Sequence, residues 1–250
     1  RLASVWVRNR KRRLVEPFCG GLAVALGLDP ARALLNDINP HTVNFYRHLQ
    51  NGLTIRERMR NDEALYYRHR EAFNWLIAKR RGHTARAASL FYYLNRTGYN
   101  GLCRFNASGE FNVPFGRYKT INYTRNFSPY CETLSKWQFE CMDFERLKLS
   151  RGDFVYADPP YDVQFTDYSS GGFGWSEQER LAHWLAQHKG PVVASNQATA
   201  RILKLYRSLG FDIVKVDAPR SIACNGDRQR AVEMLAFLNV KPGPRSRSAR

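Results

Sequence analysis

Hydrophobic residues along this chain follow two alternating patterns, and their order predicts an α/β fold. Short apolar runs that are typical of buried strands occur at residues 14–18, 33–37, 138–142, 153–157, 191–195, 211–217 and 231–238. Apolar residues at helical spacing, or residues that start helices, mark the segments 40 to about 51, 62–81, 84–97, 176–188 and 198–209. Strands separated by helices of this length predict a mainly parallel sheet that helices cover on both faces.

The segment 51–128 interrupts this alternation. It contains two of the predicted helices and a turn at Asn106–Gly109 that is typical of a β-hairpin, so we interpret it as an inserted, mainly helical subdomain. The predicted organisation is one discontinuous α/β domain formed by residues 1–50 and 129–240. Residues 241–250 are rich in Pro, Ser and Arg, and this composition predicts a disordered basic tail.

Positive charge is concentrated in three parts of the chain. The sequence has 39 Lys and Arg residues against 22 Asp and Glu residues, which gives a net charge of +17. Residues 1–13 carry six basic and no acidic residues, residues 51–128 carry fourteen basic and five acidic residues, and residues 239–250 carry four basic residues. Such an excess indicates a polyanionic partner, either nucleic acid or an anionic membrane. No apolar run reaches the roughly 18 residues that a membrane span requires, so we expect none.

The sharpest chemical pattern is the tetrapeptide Asp158-Pro159-Pro160-Tyr161, which directly follows the predicted strand 153–157. A proline-rich turn would explain the two prolines, but not an acidic residue at a strand end followed by an aromatic one. Two prolines hold the backbone extended, which places the fixed Pro159 carbonyl close to the Asp158 carboxylate. An exocyclic amino group offers two N–H donors to such a pair of acceptors, and Tyr161 is able to stack on a planar base. The tetrapeptide therefore predicts a site for an amino-bearing base.

Two further features lie where a ligand would reach the predicted sheet. Gly20 and Gly21 follow the first strand, and Asp37 ends the second. Ligands of open parallel sheets bind beyond the carboxyl ends of the strands, so Asp37 and Asp158 would lie at the same edge. A glycine pair on its own is a weak signal, because many turns contain one.

The order of these features resembles that of the Dam-type DNA adenine-N6 methyltransferases (D12 class, alpha group): an S-adenosyl-L-methionine (AdoMet) site, a recognition insert, then the tetrapeptide. The resemblance runs from about Leu14 to Leu238. Four segments carry it: Glu16–Gly21, Leu35–Asn39, Phe91–Tyr118, and a late loop of Arg220–Ile222 with Asn225 and Gly226. It implies a Rossmann-like AdoMet-dependent methyltransferase sheet in the domain 1–50 and 129–240, and a target-recognition role for the insert 51–128.

The resemblance also implies which residues contact AdoMet, the methyl donor. Gly20 and Gly21 would let the backbone approach the cofactor, Phe18 would pack beside it, and Asp37 would accept hydrogen bonds from its ribose hydroxyls. The full implied set is Phe18, Gly20, Gly21, Asp37, Asp143, Phe144 and Asp158.

A second set of residues matches positions at which the family approaches duplex DNA: Arg96, Tyr99, Asn100, Leu102, Arg104, Pro114, Arg117 and Tyr118. Arg104 is the candidate for reading a guanine edge, and Tyr99 for wedging into the base stack. Arg96 and Arg117 would neutralise phosphates. A single arginine of this kind is more often a solvated surface charge, so the expectation rests on the set.

The implied reaction is direct methyl transfer from the AdoMet sulfonium to N6 of an adenine flipped out of duplex DNA, in the sequence GATC. Hydrogen bonds from N6 to Asp158 and to the Pro159 carbonyl would offset the charge that develops on the nitrogen. The implied catalytic residues are Asp158, Pro159, Pro160 and Tyr161, without a metal ion or a covalent enzyme intermediate. The five scattered cysteines contain no CxxC pair, which favours a reducing compartment such as the cytoplasm. The resemblance further implies a monomer that a bacterium or a phage encodes.

One segment departs from the family pattern. Members begin with a stretch containing Trp, two Gly and Lys that covers AdoMet, whereas residues 1–13 contain Trp6 and Lys11 but no glycine pair. A fragment or a degenerate start would explain this, so a catalytically impaired DNA-binding remnant is one alternative. A methyltransferase for another amino group (cytosine N4, RNA adenine or protein glutamine) is a second. Asp158 favours adenine, since cytosine enzymes more often have Ser at this position and glutamine enzymes Asn.

Overall fold

The computed structural model describes residues 1–162, 173–218 and 231–243. In this part of the chain, seven strands form one sheet in the order β3-β2-β1-β4-β5-β7-β6. The strands are β1 (Leu14–Glu16), β2 (Ala33–Asn36), β3 (Trp137–Glu140), β4 (Phe154–Ala157), β5 (Val192–Gln197), β6 (Asp212–Ala218) and β7 (Ala231–Leu238). The helices are α1 (Leu2–Val7), α2 (Ala23–Leu28), α3 (Pro40–Gln50), α4 (Glu63–Ala78), α5 (Ala85–Thr97), α6 (Ser128–Ser135), α7 (Trp175–Gln187) and α8 (Ala200–Ser208).

Most of the sheet is parallel. β1 pairs in parallel with β2 and β4, and β4 pairs in parallel with β5, whereas β7 runs antiparallel between β5 and β6. The protein therefore has a Rossmann-like α/β fold with helices around a mainly parallel sheet, which confirms the predicted fold class. The carboxyl ends of β1, β2, β4 and β5 lie at one edge of the sheet, here called the carboxyl edge. The opposite edge, where these strands begin, is the amino edge.

The central strands are apolar because they are buried along their length. Every residue of β1, β2 and β4 is buried. Helices α7 and α8 contribute Leu181, Leu185, Ile202 and Tyr206 to the same core. Each such side chain stabilises the fold by roughly 1.5–3 kcal/mol on burial, so the strands hold the residues at their ends in fixed positions.

The chain divides into two compact units. One consists of Arg1–Ile38 together with the chain from Glu140 onward, and the other of Asn39–Phe139. In the second unit, α5 packs against both α3 and α4, and α6 packs against α3. The predicted insert 51–128 lies within this unit, which also includes α3 and α6.

Three short helices, α1, α2 and α6, had no sequence prediction. α1 and α2 have six residues each, and neither begins with a side-chain cap. The predicted late loop at 220–226 lies outside the described residues, as do residues 244–250 of the predicted tail. Among the described helices, none combines the length and the apolar character that crossing a membrane would need.

Candidate active site

Four acidic or polar residues gather at the carboxyl edge because of the strands that carry them. Glu16 is the last residue of β1, Asp37 follows β2, Asp158 follows β4, and Ser195 lies in β5. The parallel register, which pairs Val15 with Leu34 and with Val155, brings these strand ends to the same edge. This is where ligands of open α/β sheets bind.

The turn after β1 is open on the side of its glycines. Gly20 has a left-handed backbone (φ +43°), and a Cβ atom added to Gly20 or Gly21 would meet no atom of the described residues within 4 Å. The Gly20 N–H donates to a carboxylate oxygen of Asp37 over 3.1 Å. The amide of Asn36 donates to the carbonyls of Pro17 and Met142 over 2.9 and 3.0 Å, which ties the turn to the segment after β3. The result is a fixed backbone turn beside Asp37, with room at its glycines among the described residues.

Glu16 is a buried acid that the sequence interpretation left without a role. Its side chain is 2% exposed, and among the described residues its Oε1 atom has no hydrogen-bond partner. Burial, and then the negative charge of Asp158, raises the pKa of Glu16 to about 8. A buried acid with an unsatisfied oxygen is costly unless a cation or a donor reaches it, so this position suits a positively charged ligand group. The feature of the sequence that could have indicated a role for Glu16 is its position as an acidic residue at the end of a predicted strand.

A chain of hydroxyl groups holds the Asp158 carboxylate. The Ser195 Oγ lies 2.6 Å from Asp158 Oδ1, 3.2 Å from the Tyr156 hydroxyl and 3.3 Å from the Ala157 carbonyl oxygen. The shortest contact is the one to the carboxylate, so the Ser195 proton is donated there. Burial raises the pKa of Tyr156, which therefore stays protonated and is able to donate to Ser195 in turn. Ser195 is 4% exposed, whereas Asp158 is exposed to a ligand.

Two fully buried amides fix the backbone that follows Asp158. The Gln178 Nε2 atom donates to the Pro160 carbonyl over 2.8 Å, and Asn196 Nδ2 donates to Gln178 Oε1 over 2.9 Å. The Asn196 Oδ1 atom accepts the N–H of Asp162 over 3.2 Å. Pro159 is buried, and among the described residues no donor reaches its carbonyl oxygen.

The far end of this loop is anchored by the buried carboxylate of Asp162. Asp162 is 5% exposed and accepts hydrogen bonds from the Arg201 guanidinium through both of its oxygens. The Thr199 hydroxyl donates to Asp162 over 3.0 Å. Both ends of the tetrapeptide loop are therefore fixed, by Ser195 at Asp158 and by Arg201 at Asp162.

Tyr161 is half-buried and turns its hydroxyl toward Glu233, with 3.5 Å between the Tyr161 oxygen and Glu233 Oε2. Burial raises the pKa of Tyr161, and the negative charges of Asp158 and Glu233 raise it further. The phenol therefore stays neutral at physiological pH, so the ring offers an uncharged aromatic surface to a ligand.

The predicted pair Asp143-Phe144 also belongs to this unit. The Phe144 ring packs against Phe18 with 5.6 Å between ring centroids, and the Arg180 guanidinium lies 4.3 Å from the Phe144 centroid. Arg180 binds both oxygens of Asp143 over 2.9 and 2.7 Å, and these hydrogen bonds lower the pKa of that carboxyl. Both oxygens of Asp143 are therefore engaged by Arg180, a contact that the sequence did not indicate.

In the second unit, the residues predicted to approach DNA lie largely on the surface. Seven of the eight are exposed and Asn100 is half-buried. A cavity of about 300 Å³ is lined by Tyr99, Asn100, Phe115, Gly116, Arg117 and Tyr118. The structure thus brings together four of the eight predicted residues from two separate parts of the chain.

Close backbone contact joins these two parts. Tyr99 N–H donates to the Pro114 carbonyl, and Gly116 N–H donates to the Thr97 carbonyl. A Cβ atom on Gly116 would lie 2.8 Å from the Gly98 carbonyl oxygen, so only glycine fits without displacement. The Tyr118 hydroxyl donates to that same Gly98 oxygen over 2.9 Å.

Arg104 stands at the base of the predicted hairpin. Phe105 and Phe111 form an antiparallel bridge, and Gly109 N–H donates to the Asn106 carbonyl within the turn. The Nε and Nη2 atoms of Arg104 donate to the side chain and the backbone of Asn112 over 2.9 and 3.2 Å. These bonds orient an exposed guanidinium, whose other N–H groups have no partner among the described residues.

Comparison with known proteins relates the chain to enzymes that act on DNA. A family model described as D12 class N6 adenine-specific DNA methyltransferase matches residues 4–222. The retron Ec67 DNA adenine methylase of Escherichia coli is 37% identical over 243 residues, which cover 92% of this chain and 84% of that protein. The DNA adenine methylase of Escherichia coli strain K12 is 36% identical, with 92% of this chain and 87% of that protein covered. The DNA N-6-adenine-methyltransferase of Escherichia phage P1 is 35% identical, with 91% of this chain and 32% of that protein covered.

Proposed function

Because this chain belongs to the D12 class of N6 adenine-specific DNA methyltransferases, we propose that it transfers a methyl group from AdoMet to N6 of an adenine flipped out of duplex DNA, in the sequence GATC. The observation that carries the proposal is the exposed Asp158 carboxylate at the carboxyl edge, held by Ser195 and followed by Pro159, whose carbonyl oxygen has no donor among the described residues. In this scheme residues 1–50 and 129–240 form the catalytic domain, and residues 51–128 recognise the target.

The residues around the first turn fit AdoMet, which supplies an activated methyl group on a sulfonium when it is bound. The open surface at Gly20 and Gly21 leaves room for a ligand in contact with the backbone, where a side chain would intrude. Asp37 is half-buried and offers carboxylate oxygens to ribose hydroxyls. Glu16 offers an unsatisfied buried oxygen to the cationic groups of the donor. Phe18 and Phe144 supply an apolar aromatic wall in the same unit.

Asp158 and Pro159 act on the acceptor nitrogen. The lone pair of adenine N6 is conjugated with the ring, so the nitrogen is a poor nucleophile until its two hydrogens are held out of the ring plane. Asp158 accepts one N–H and the Pro159 carbonyl accepts the other, which localises the lone pair toward the methyl group. After transfer, the surplus N6 proton leaves along its hydrogen bond to Asp158. The Tyr161 ring stacks on the flipped base and excludes water from it.

The second unit supplies target recognition. Arg104 presents a guanidinium oriented by Asn112, which suits bidentate binding to a guanine edge in the major groove. Tyr99 is 48% exposed beside the cavity that it shares with Tyr118, where an aromatic ring is able to occupy the space left by a flipped base. Arg96 and Arg117 neutralise phosphates, and Leu102 and Pro114 contribute apolar surface. The sequence GATC is inferred from the resemblance of the segment Phe91–Tyr118 to the recognition region of Dam-type enzymes.

The test is transfer of labelled methyl from AdoMet to a duplex with one unmethylated GATC, beside the same duplex already methylated at both adenines. Label in the first duplex only is the expected result. The Asp158→Ala variant is expected to lose transfer, while Asp212→Ala, which removes an exposed carboxylate at the start of β6, keeps it. Label in both duplexes would refute the GATC target, and an active Asp158→Ala variant would refute the proposed site. No transfer by the wild-type protein would favour the DNA-binding remnant.

A further inference from the structure

A second, strongly basic cleft lies at the amino edge of the sheet. It has a volume of about 780 Å³ and forms where the chain enters β1, β2 and β4. Its lining residues are Val7, Arg8, Asn9, Arg10, Lys11, Arg12, Arg13, Arg32, Ser150, Gly152 and Asp153. The tetrapeptide loop follows the opposite ends of these strands. Since β4 has four residues, about 13 Å of strand separates the two edges, and one ligand group cannot occupy both sites.

The cleft carries an uncompensated positive charge. Among the described residues that line it, six are Arg or Lys and Asp153 is the single acidic residue. Arg13 binds Asp153 through both carboxylate oxygens over 3.0 and 2.7 Å, so this negative charge is already neutralised. The side chains of Arg8, Arg10 and Lys11 are exposed and make no hydrogen bond or ion pair with other described residues. Cations that line one cleft repel one another, and an anion bound there relieves that repulsion.

The cationic loop is held in place before any ligand arrives. The Trp6 ring packs edge-on against Phe154, and its Nε1 atom donates to the Leu28 carbonyl over 2.9 Å, which anchors α1. Arg12 donates to Asn9 Oδ1 over 3.1 Å and to the Gly152 carbonyl over 3.1 Å. The backbone that carries these cations and the side chains of Arg12 and Arg13 are therefore fixed before binding, which lowers the entropic cost of binding.

We propose that this cleft binds the phosphodiester backbone of nucleic acid as a site separate from the active site. The guanidinium fork matches the oxygens of a phosphate, and backbone binding of this kind needs no base contact. Five of the six consecutive residues from Arg8 to Arg13 are Arg or Lys, and such a run of cations suits an extended polyanion better than one compact anion. The inference is independent of the methyl donor and of the target sequence, because it concerns binding alone.

Equilibrium binding to a duplex that lacks GATC, measured across a range of salt concentrations, tests the proposal without any turnover. The triple variant Arg8→Gln, Arg10→Gln, Lys11→Gln removes three exposed charges that have no partner among the described residues. If each contacts one phosphate, the slope of log K against log salt becomes less steep by about 2.7, at roughly 0.9 per contact. The control variant Lys189→Gln, Lys204→Gln, Arg207→Gln makes the same change in net charge on other exposed positions of the same unit.

Two outcomes would overturn the proposal. One is a slope of log K against log salt that becomes less steep by the same amount in the cleft variant and in the control, since this would mean that only net charge matters. The other is micromolar binding of inorganic tripolyphosphate that persists in saturating duplex and disappears in the cleft variant, which would assign the cleft to a small polyphosphate. The proposal is supported if the slope of log K against log salt becomes less steep in the cleft variant alone, while its thermal unfolding is unchanged. Since no methyl transfer is measured, the result stands whether or not the proposed function holds.

Discussion

Replacing Ser195 with alanine is expected to slow methyl transfer without weakening DNA binding. The substitution removes a hydroxyl that donates to Asp158 over 2.6 Å and accepts from Tyr156 at 3.2 Å, at a position that is 4% exposed. A hydrogen bond to a charged group contributes about 1.5–3 kcal/mol, and water replaces part of it because Asp158 is exposed. A loss of about 1–2 kcal/mol in the transition state lowers kcat by about 5- to 30-fold.

The assay is steady-state transfer of labelled methyl, with kcat and the KM for duplex DNA measured separately. Ser195 is a positioning residue, so kcat should fall while KM for DNA changes less than about twofold. The loss of a buried hydrogen bond of about 1 kcal/mol should lower the Tm by about 2–4 °C. Ser208→Ala is the control, because it removes an exposed hydroxyl that bonds the Leu205 carbonyl on the surface of α8.

Two further variants separate positioning of the carboxylate from general damage. Ser195→Thr keeps the hydroxyl and should recover most of kcat, whereas Tyr156→Phe removes the outer donor and should cost less than Ser195→Ala. Wild-type kcat in Ser195→Ala would refute the reasoning. So would an equal loss in the alanine and threonine variants, since the hydroxyl would then have no special part.

Three other predictions concern the acid at the end of β1, the recognition surface and its backbone. Burial, and then a neighbouring carboxylate, raises the pKa of Glu16 from 4.5 to about 8, so the folded protein keeps this proton while the unfolded chain loses it, and stability falls as pH rises between these values. As pH rises through that window, the free energy of unfolding of Glu16→Gln should therefore increase relative to that of the wild type by a few kcal/mol, as measured by chemical unfolding. Parallel pH curves for the two proteins would contradict the assignment. Arg104→Gln should lose about 1–3 kcal/mol of DNA-binding free energy and relax the specificity at one base pair, whereas Arg117→Gln should weaken binding to all duplexes alike. Binding to duplexes with single base-pair substitutions measures both effects. Gly116→Ala should lower both Tm and DNA affinity because its Cβ meets the Gly98 backbone at 2.8 Å, while Gly152→Ala, whose nearest contact would be at 3.9 Å, should be close to neutral in Tm.

The parts of the fold that the sequence predicts are those with a strong local signal. β1 and β4 read as apolar runs because they are buried on both faces, and α3 begins at Pro40 after the cap Asn39. α2 left no such signal, since it has six residues and begins after Leu22 in a left-handed conformation, a position more typical of glycine. Short helices of this kind form because their neighbours hold them.

In the candidate site, too, residues with a strong local signal are predicted and roles that depend on long-range contacts are not. Asp158 and Asp37 are visible in the sequence because an acid at the end of an apolar strand is unusual. The roles of Ser195 and Gln178 are not visible there, since each depends on a contact with a residue at least 18 positions away in the chain. The engagement of Asp143 by Arg180, 37 positions away, is long-range for the same reason. Sequence patterns thus indicate which groups carry the chemistry, and tertiary contacts determine how those groups are held.

The hydrogen bond between the Asp37 N–H and the Glu140 carbonyl has a consequence for folding order. These residues flank the unit Asn39–Phe139, so β2 and β3 cannot adopt their places until roughly a hundred residues of intervening chain close into a loop. Closing such a loop as a random coil costs about 3 kcal/mol more than closing one of a few residues. The intervening unit has its own contiguous helical core, so we expect it to fold first and thereby to shorten that loop. Folding of the helical unit would bring β2 and β3 close enough to pair, and it should set the rate at which the sheet assembles.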